Sequence, residues 1–402
     1  MFFSRSSAAG ELPAGPVPYF AALDVVRFLA ATMVLVTHAF DHWTDVPGIQ
    51  AITTDAASGQ PLWWATRLRG LTGNFNAGVD LFFLLSGFLI TYLLLAERAR
   101  FGHIDLKAFY VRRVLRIWPL YYLCVAMVPV LHEYYNEPVP NIWQFIVFAG
   151  NFNLMHHNWS STAVNHLWSI CIEEHFYLIW PLLVGLTPVR RLPTVFGAVI
   201  LLSVVTRFYY FSFVPNPHMA LYLHTLCRWD ILALGSLFAY AAYFRTIRLR
   251  VPRAARVLIY LGGGLLFIND VYGEWNTIFT ALTKRYVYAL LAAFALGHIL
   301  YAPDTMVRWR RQTPIHYFGK VSYGIYMYHG FVILLLAQEY PWFHDRFFIG
   351  WVLLFTLLLA TISYELIEKP LLRLKKHFDA FRASRQPAPS VPAEAPTAVI
   401  TS

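Results

Sequence analysis

The sequence predicts an all-α protein: a polytopic transmembrane helical bundle of about ten spanning helices plus one re-entrant segment. Three observations lead there. Charged residues make up 13% of the 402, against ~25% in soluble domains. Apolar residues make up 58%, mean hydropathy is +0.49, and the apolar residues fall in runs rather than in isolated positions. Aromatic residues reach 17%, as expected where Trp and Tyr line membrane interfaces.

The apolar runs lie near 20–40, 78–96, 114–131, 142–155, 166–186, 193–213, 229–244, 255–271, 285–301, 314–338 and 348–367. The first, Phe20–Phe40, is just long enough to cross a bilayer. The residues before it carry no apolar signal-peptide core ahead of their prolines, so this run is expected to be retained as the first span. Positive charge orients the rest. Arg98, Arg100, Lys107, Arg112, Arg113 and Arg116 follow the second run, and Arg190 and Arg191 follow the fifth. Further basic clusters lie at 245–256, at 302–313 and from Lys369 onward. All five should be cytoplasmic. That parity fails with eleven crossings and holds if 142–155 does not cross. This run is short and ends Gly-Asn-Phe-Asn, as a re-entrant segment does. The expected layout is a cytoplasmic segment at 1–19, a transmembrane domain at 20–376 and a disordered cytoplasmic tail at 377–402, rich in Pro, Ala and Ser. Both termini are then cytoplasmic.

This pattern bears on function by exclusion. The net charge of +10 sits mostly in short loops, where it orients the chain; it is no sign of nucleic-acid binding. Cys124, Cys171 and Cys227 lie in or beside apolar runs without metal-ligand spacing, so no metal is expected.

The first span carries the most informative residues. Arg27 and His38 are eleven residues apart, close to three helical turns, and so share a face about 16 Å apart along the axis. A charge within a span is costly and marks a functional site by default. Asp24, one turn before Arg27, offers the competing reading of a self-satisfying pair, which leaves His38 unexplained. Arg113 and Arg116 are one turn apart where a loop enters a helix, and guanidinium forks match phosphate oxygens. Topology and lipid headgroups would also explain that cluster. In His166-Leu-Trp-Ser-Ile-Cys-Ile-Glu-Glu-His175, Glu173 and Glu174 lie well inside a span, and His166 shares a face with Glu173. Such a carboxylate acts as a base, orients a histidine, or pairs with an intramembrane arginine such as Arg207 or Arg228. Asp80 and Ser86 on the second span, and Tyr323, Tyr326, Tyr328 and His329 on 314–338, either line a cleft or bridge helices.

Taken together, seven strings resemble the acyltransferase-3 family of integral membrane O-acyltransferases. They are LDVVRFLAATMVLVTH (23–38), GVDLFFLLSGFLIT (78–91), FYVRRVLRIWPLYY (109–122), HLWSICIEEHFYLIWPLL (166–183), RWDILALGSLFA (228–239), GKVSYGIYMYHGFV (319–332) and YELIEKPLLRL (364–374), in family order. The family's Arg/Lys-x10-His signature falls on Arg27 and His38, its Arg-x-x-Arg on Arg113 and Arg116, and its Trp-Ser-x-x-x-Glu-Glu on Trp168, Ser169, Glu173 and Glu174. His175 stands where members commonly carry Gln.

The resemblance implies an enzyme of the bacterial inner membrane. It would move an acyl group, acetyl in the first instance, from cytoplasmic acyl-CoA (acetyl-CoA) to a hydroxyl of a carbohydrate, glycolipid or hydroxylated small molecule on the outer side. Arg27, Arg113 and Arg116 would hold the CoA phosphates. His38 would be the base, with Glu173 orienting or stabilising it. Asp80, Glu174, Arg228, Asp230, Tyr323 and His329 are expected to contact the acceptor or to hold the helices. The rival is a transporter or flippase, whose path would also carry intramembrane charges. No inverted repeat supports it.

Overall fold

Each predicted apolar run contains helix, and most of the long ones are continuous helices. The computed structural model of the protein describes residues 20–44, 46–55, 59–136, 139–157, 163–244, 251–269, 278–301, 314–343, 345–374 and 378. Among these, 87% are helical and none forms a strand. The expected cytoplasmic segment at 1–19, the basic residues within 245–250 and 302–313, and the expected tail at 377–402 apart from Phe378 lie outside the described residues.

The helices are α1 (Ala21–Trp43), α2 (Pro47–Thr53), α3 (Trp63–Asn74), α4 (Ala77–Phe101), α5 (Leu106–Tyr135), α6 (Ile142–Ile146), α7 (Gly150–His157), α8 (Trp168–Leu186), α9 (Leu192–Phe213), α10 (His218–Leu223), α11 (Thr225–Tyr243), α12 (Arg253–Asn269), α13 (Ile278–Tyr301), α14 (Pro314–Lys320), α15 (Ser322–Gln338), α16 (Phe348–Ser363) and α17 (Lys369–Leu374). A π-helical turn, Tyr364–Glu368, joins the last two. Asp105 caps α5, its carboxylate accepting from the Ala108 amide at 2.9 Å. Gly102 ends α4 in the left-handed conformation, φ 76°, which a glycine adopts without penalty.

Among the described residues, six helices are long and apolar enough to cross a membrane, and α14 with α15 makes a seventh if the bent pair is one span. They lie at 22–43, 63–101, 106–135, 165–186, 189–213 and 348–374. The coarse expectation of a multi-pass helical bundle holds, while the count of ten is not confirmed; α12, for one, has only 17 residues. The fourth run is not a continuous span: α6 and α7 have five and eight residues, broken at Phe148, which has φ 58°. The run 314–338 departs from expectation. It bends by 74° between α14 and α15. At the bend α14 lies hard against α1, where a Cβ on Gly319 would come within 2.2 Å of the Asp24 carbonyl oxygen.

Two close approaches build the core. A Cβ on Gly87 of α4 would stand 1.9 Å from the Leu232 carbonyl oxygen, and one on Gly235 of α11 would stand 2.2 Å from that of Leu84. Glycine at both positions lets the backbones meet, the small-residue packing of membrane helices. Polar groups then bridge the helices: Thr91 donates to Ser236 at 2.8 Å, and the Trp180 indole donates to Thr91 at 2.7 Å. On the outside, Leu201, Val205 and Phe208 of α9 and Leu258, Leu261 and Leu265 of α12 are exposed, which suits a lipid-facing surface.

The ends of the bundle can be sorted by contact. The Arg98 guanidinium, at the end of α4, donates to the carbonyls of Val184 and Thr187 at 2.7 and 2.6 Å, at the end of α8. Arg112 donates to the Phe378 carbonyl at 2.7 Å. Three of the basic segments therefore meet at one end, as the charge pattern requires and as a non-crossing 142–155 permits.

Candidate active site

Helix α1 passes two cavities. Near its N-terminal end is a narrow pocket of about 80 Å³, and near its C-terminal end a wider one of about 430 Å³. Arg27 lines the first and His38 the second, as their spacing on one helix face predicts.

The narrow pocket gathers Arg27 of α1, Arg113 and Arg116 of α5, Ser86 of α4, Glu173 of α8 and Tyr323 and Tyr326 of α15. Three guanidiniums thus face one lining carboxylate. Asp24 reaches Arg27 from one turn away at 3.5 Å. The Arg113 guanidinium lies over the rings of Phe109 and Tyr177, 5.6 and 5.5 Å from their centroids. Arg112 behaves differently: it pairs with Glu97 at 3.1 Å and serves the fold. Asp24 and Glu173 offset part of this positive charge, and what remains suits an anion.

Glu173 belongs to this pocket. Its Oε1 accepts from the Ser86 hydroxyl at 2.7 Å, and no hydrogen bond among the described residues joins it to His38. The contact with His38 expected of it is not made. Helix α8 explains this: His166, before its first turn, reaches the wide cavity, while Glu173, two turns further along, reaches the narrow one.

The partner of His38 is His329 of α15. The His38 Nδ1 and His329 Nε2 atoms are 2.8 Å apart, with the rings nearly parallel at 11°. The other His329 nitrogen, Nδ1, lies 2.6 Å from the Tyr326 carbonyl oxygen. A carbonyl only accepts, so His329 Nδ1 carries the proton. In the neutral ring Nε2 is then the acceptor, and His38 Nδ1–H donates to it. The nitrogen of His38 left for the cavity is Nε2, with its lone pair free.

The wide cavity is also lined by Asp41, His42, Asn76, Asn165, His166, Trp168 and Tyr222. A wall separates it from the narrow pocket. In this wall Tyr326 donates to the His166 carbonyl at 2.8 Å, and its hydroxyl lies 2.6 Å from that of Ser169.

The remaining candidates hold the helices. Asp80 pairs with Arg228 at 2.9 Å, and Arg228 lies 5.2–5.3 Å over the rings of Phe83, Trp168 and Tyr222. Asp230 pairs with Arg207 and accepts from the Ile231 amide at 2.8 Å. The two buried arginines therefore neutralise these aspartates and leave Glu173 to the pocket. Trp118 donates to Glu174 at 3.0 Å, and Tyr323 donates to the Ile117 carbonyl at 2.8 Å. His175 sits 2.9 Å from the Thr225 hydroxyl and stacks on Phe152, away from both cavities' linings. Asp41, Asn76 and Tyr222 were not singled out by sequence; polar and aromatic residues at helix ends carry no periodic signal.

A family model described as "Acyltransferase domain", that of acyltransferase-3, matches residues 20–365. The chain belongs to the acyltransferase-3 family. The match takes in every lining residue named above. Among similar proteins, the O-acetyltransferase OatA of Staphylococcus aureus, strain NCTC 8325 / PS 47, is 26% identical over 359 residues, covering 84% of this chain and 58% of the relative. A protein of S. aureus strain COL with a provisional O-acetyltransferase name is 27% identical over 356 residues, covering 81% and 57%. The chain thus spans little more than half the length of these relatives. No solved structure matches it.

Proposed function

We propose that the protein is a membrane O-acyltransferase that moves an acetyl group from acetyl-CoA to a hydroxyl of a carbohydrate or glycolipid acceptor. The observation that carries this reading is the chain from the Tyr326 carbonyl through His329 to His38, which leaves His38 Nε2 as a fixed proton acceptor facing the wide cavity. A structural histidine does not need a second histidine to set its tautomer. Family membership and the names of the relatives point the same way.

The two cavities suit two substrates. The narrow pocket, at about 80 Å³, is well below the ~300–1,000 Å³ of sites that enclose a drug-sized ligand. It admits a thin arm and not a nucleotide. Arg27, Arg113 and Arg116 therefore hold phosphate at its mouth, with the pantetheine arm threaded inward. The wide cavity, at about 430 Å³, is of the size that encloses a small acceptor. In the transfer, the acceptor oxygen attacks the thioester carbonyl and His38 Nε2 takes its proton. The C–O bond forms as the C–S bond breaks, and the proton passes from His38 to the departing thiolate, giving ester and CoA-SH. The thioester must pass the Tyr326–Ser169 wall to reach His38.

The basic ends of α4, α8 and the tail, gathered at one end, suit an inner-membrane protein with that end in the cytoplasm. Ten spans, both termini inside, and His38 acting toward the outer face complete the proposal.

The test is release of CoA-SH from acetyl-CoA by purified protein, with ester formation followed by mass spectrometry. His38→Gln keeps polarity and size but accepts no proton at neutral pH. It should lower kcat by roughly 10²–10⁴. Normal turnover by a well-folded His38→Gln protein would remove His38 as the base, and no acyl transfer by the wild-type protein would leave the transporter reading.

A further inference from the structure

The acetyl transfer uses one nitrogen of one histidine in the wide cavity, yet a second histidine there is unaccounted for. His166 lines the same cavity and is only 2% exposed. Neither of its ring nitrogens makes a well-formed hydrogen bond among the described residues, although the Met327 backbone lies close enough to interact with one of them. A buried polar group left so is unfavourable, and such groups in folded proteins are normally satisfied. The ring is nonetheless held firmly. It stands edge-on to Tyr326, centroids 5.3 Å apart at 81°, and 4.4 Å from the ring of His329. Its backbone is pinned by the Tyr326 hydroxyl. A ring fixed in place with at least one nitrogen unspent is preorganised for something that enters the cavity.

His38 and His166 flank the same His329 ring, at centroid distances of 5.1 and 4.4 Å. Two imidazoles that line one cavity on either side of a shared neighbour can each meet one of two oxygens carried close together. Beside them, Trp168 and Tyr222 pack at 4.9 Å in the cavity wall, with the Arg228 guanidinium behind both rings. That aromatic wall offers an apolar face to a saturated ring.

We propose that His166 binds a second hydroxyl of the acceptor, adjacent to the one that is acetylated, so that the cavity selects a vicinal diol on a saturated six-membered ring over a mono-alcohol. The proposal rests on the reading of His38 as the base. His166 is here a specificity residue: it contacts the acceptor without moving the transferred proton.

The experiment compares trans-1,2-cyclohexanediol with cyclohexanol as acceptors for the purified full chain with acetyl-CoA, reading ester by mass spectrometry and KM by CoA-SH release. The wild-type protein should show a KM roughly tenfold lower for the diol, the value of one added hydrogen bond to a buried partner. His166→Phe should raise the diol KM to that of the mono-alcohol while the mono-alcohol KM moves little. His166→Gln keeps a donor and an acceptor and should retain part of the preference. One KM for both alcohols in the wild-type protein, as for a ring that is merely hydrated, overturns the assignment. So does an equal loss of kcat on both alcohols in His166→Phe with no change in their KM ratio. If both alcohols are acetylated alike, only the His166 assignment fails. If neither yields ester, the reading of His38 as the transferring base fails with it.

Discussion

Replacing His329 by Leu removes the acceptor for His38 Nδ1–H, which now lies 2.8 Å from His329 Nε2. The His38 ring is then free to carry its proton on Nε2, the nitrogen that must be bare to act. The magnitude follows from what the hydrogen bond holds in place. Leaving a buried donor unsatisfied costs ~1–3 kcal/mol. At ~1.4 kcal/mol per factor of ten, the reactive tautomer is depopulated by roughly 5- to 150-fold. We expect kcat to fall by that factor while the KM for acetyl-CoA holds, because the arginine pocket lies about three helical turns from His38. This loss should be smaller than that of His38→Gln, which abolishes the base. His329→Gln offers an amide oxygen to the same N–H and should recover most of the rate. The assay is steady-state CoA-SH release, with thermal unfolding in detergent to establish that each variant is folded. A folded His329→Leu protein with wild-type kcat would refute the relay. So would a His329→Gln protein as impaired as His329→Leu, since helix packing alone would then account for the residue.

Other outcomes follow from the same geometry. Arg113→Ala and Arg116→Ala should each weaken acetyl-CoA binding by about 1–3 kcal/mol, read as a higher KM for acetyl-CoA with the acceptor KM little changed; unchanged binding in both would reduce the pair to a topology signal. Asp80→Asn strands the Arg228 guanidinium, 1% exposed, and should lower stability by roughly 3–5 kcal/mol, measured by thermal unfolding, with Asp80→Leu/Arg228→Met recovering most of it. Arg112→Ala should lower stability, because it strands the Glu97 carboxylate, 2% exposed, and should leave the acetyl-CoA KM unchanged. An impermeant thiol reagent should label Gln60→Cys in intact cells and Gly102→Cys only in opened ones; the reverse pattern would invert the sidedness assigned to both cavities.

The sequence by itself determined the secondary structure and much of the arrangement. Hydrophobic length and loop charge are local properties, and they located the helices, the short run at 142–155 that breaks into two helices, and the clustering of basic ends. The single-helix spacing of Arg27 and His38 also survives folding, because three turns of one helix cannot be rearranged. Tertiary structure decided what sequence spacing cannot encode. Glu173 and His38 sit on different helices, and only packing determines that Glu173 turns to Ser86 and the arginines while His329, nearly three hundred residues from His38, takes its place. The 74° break before α15 arises where Gly319 meets the backbone of α1, a contact between distant segments. Asp80 and Asp230 left two readings open in the sequence, acceptor contact or helix strut; their arginine partners, met only in the folded bundle, favour the strut. The tautomer of His38 is set last, by a carbonyl it does not touch, since a proton's position depends on the far end of a hydrogen-bond chain and not on the residues that flank it in sequence.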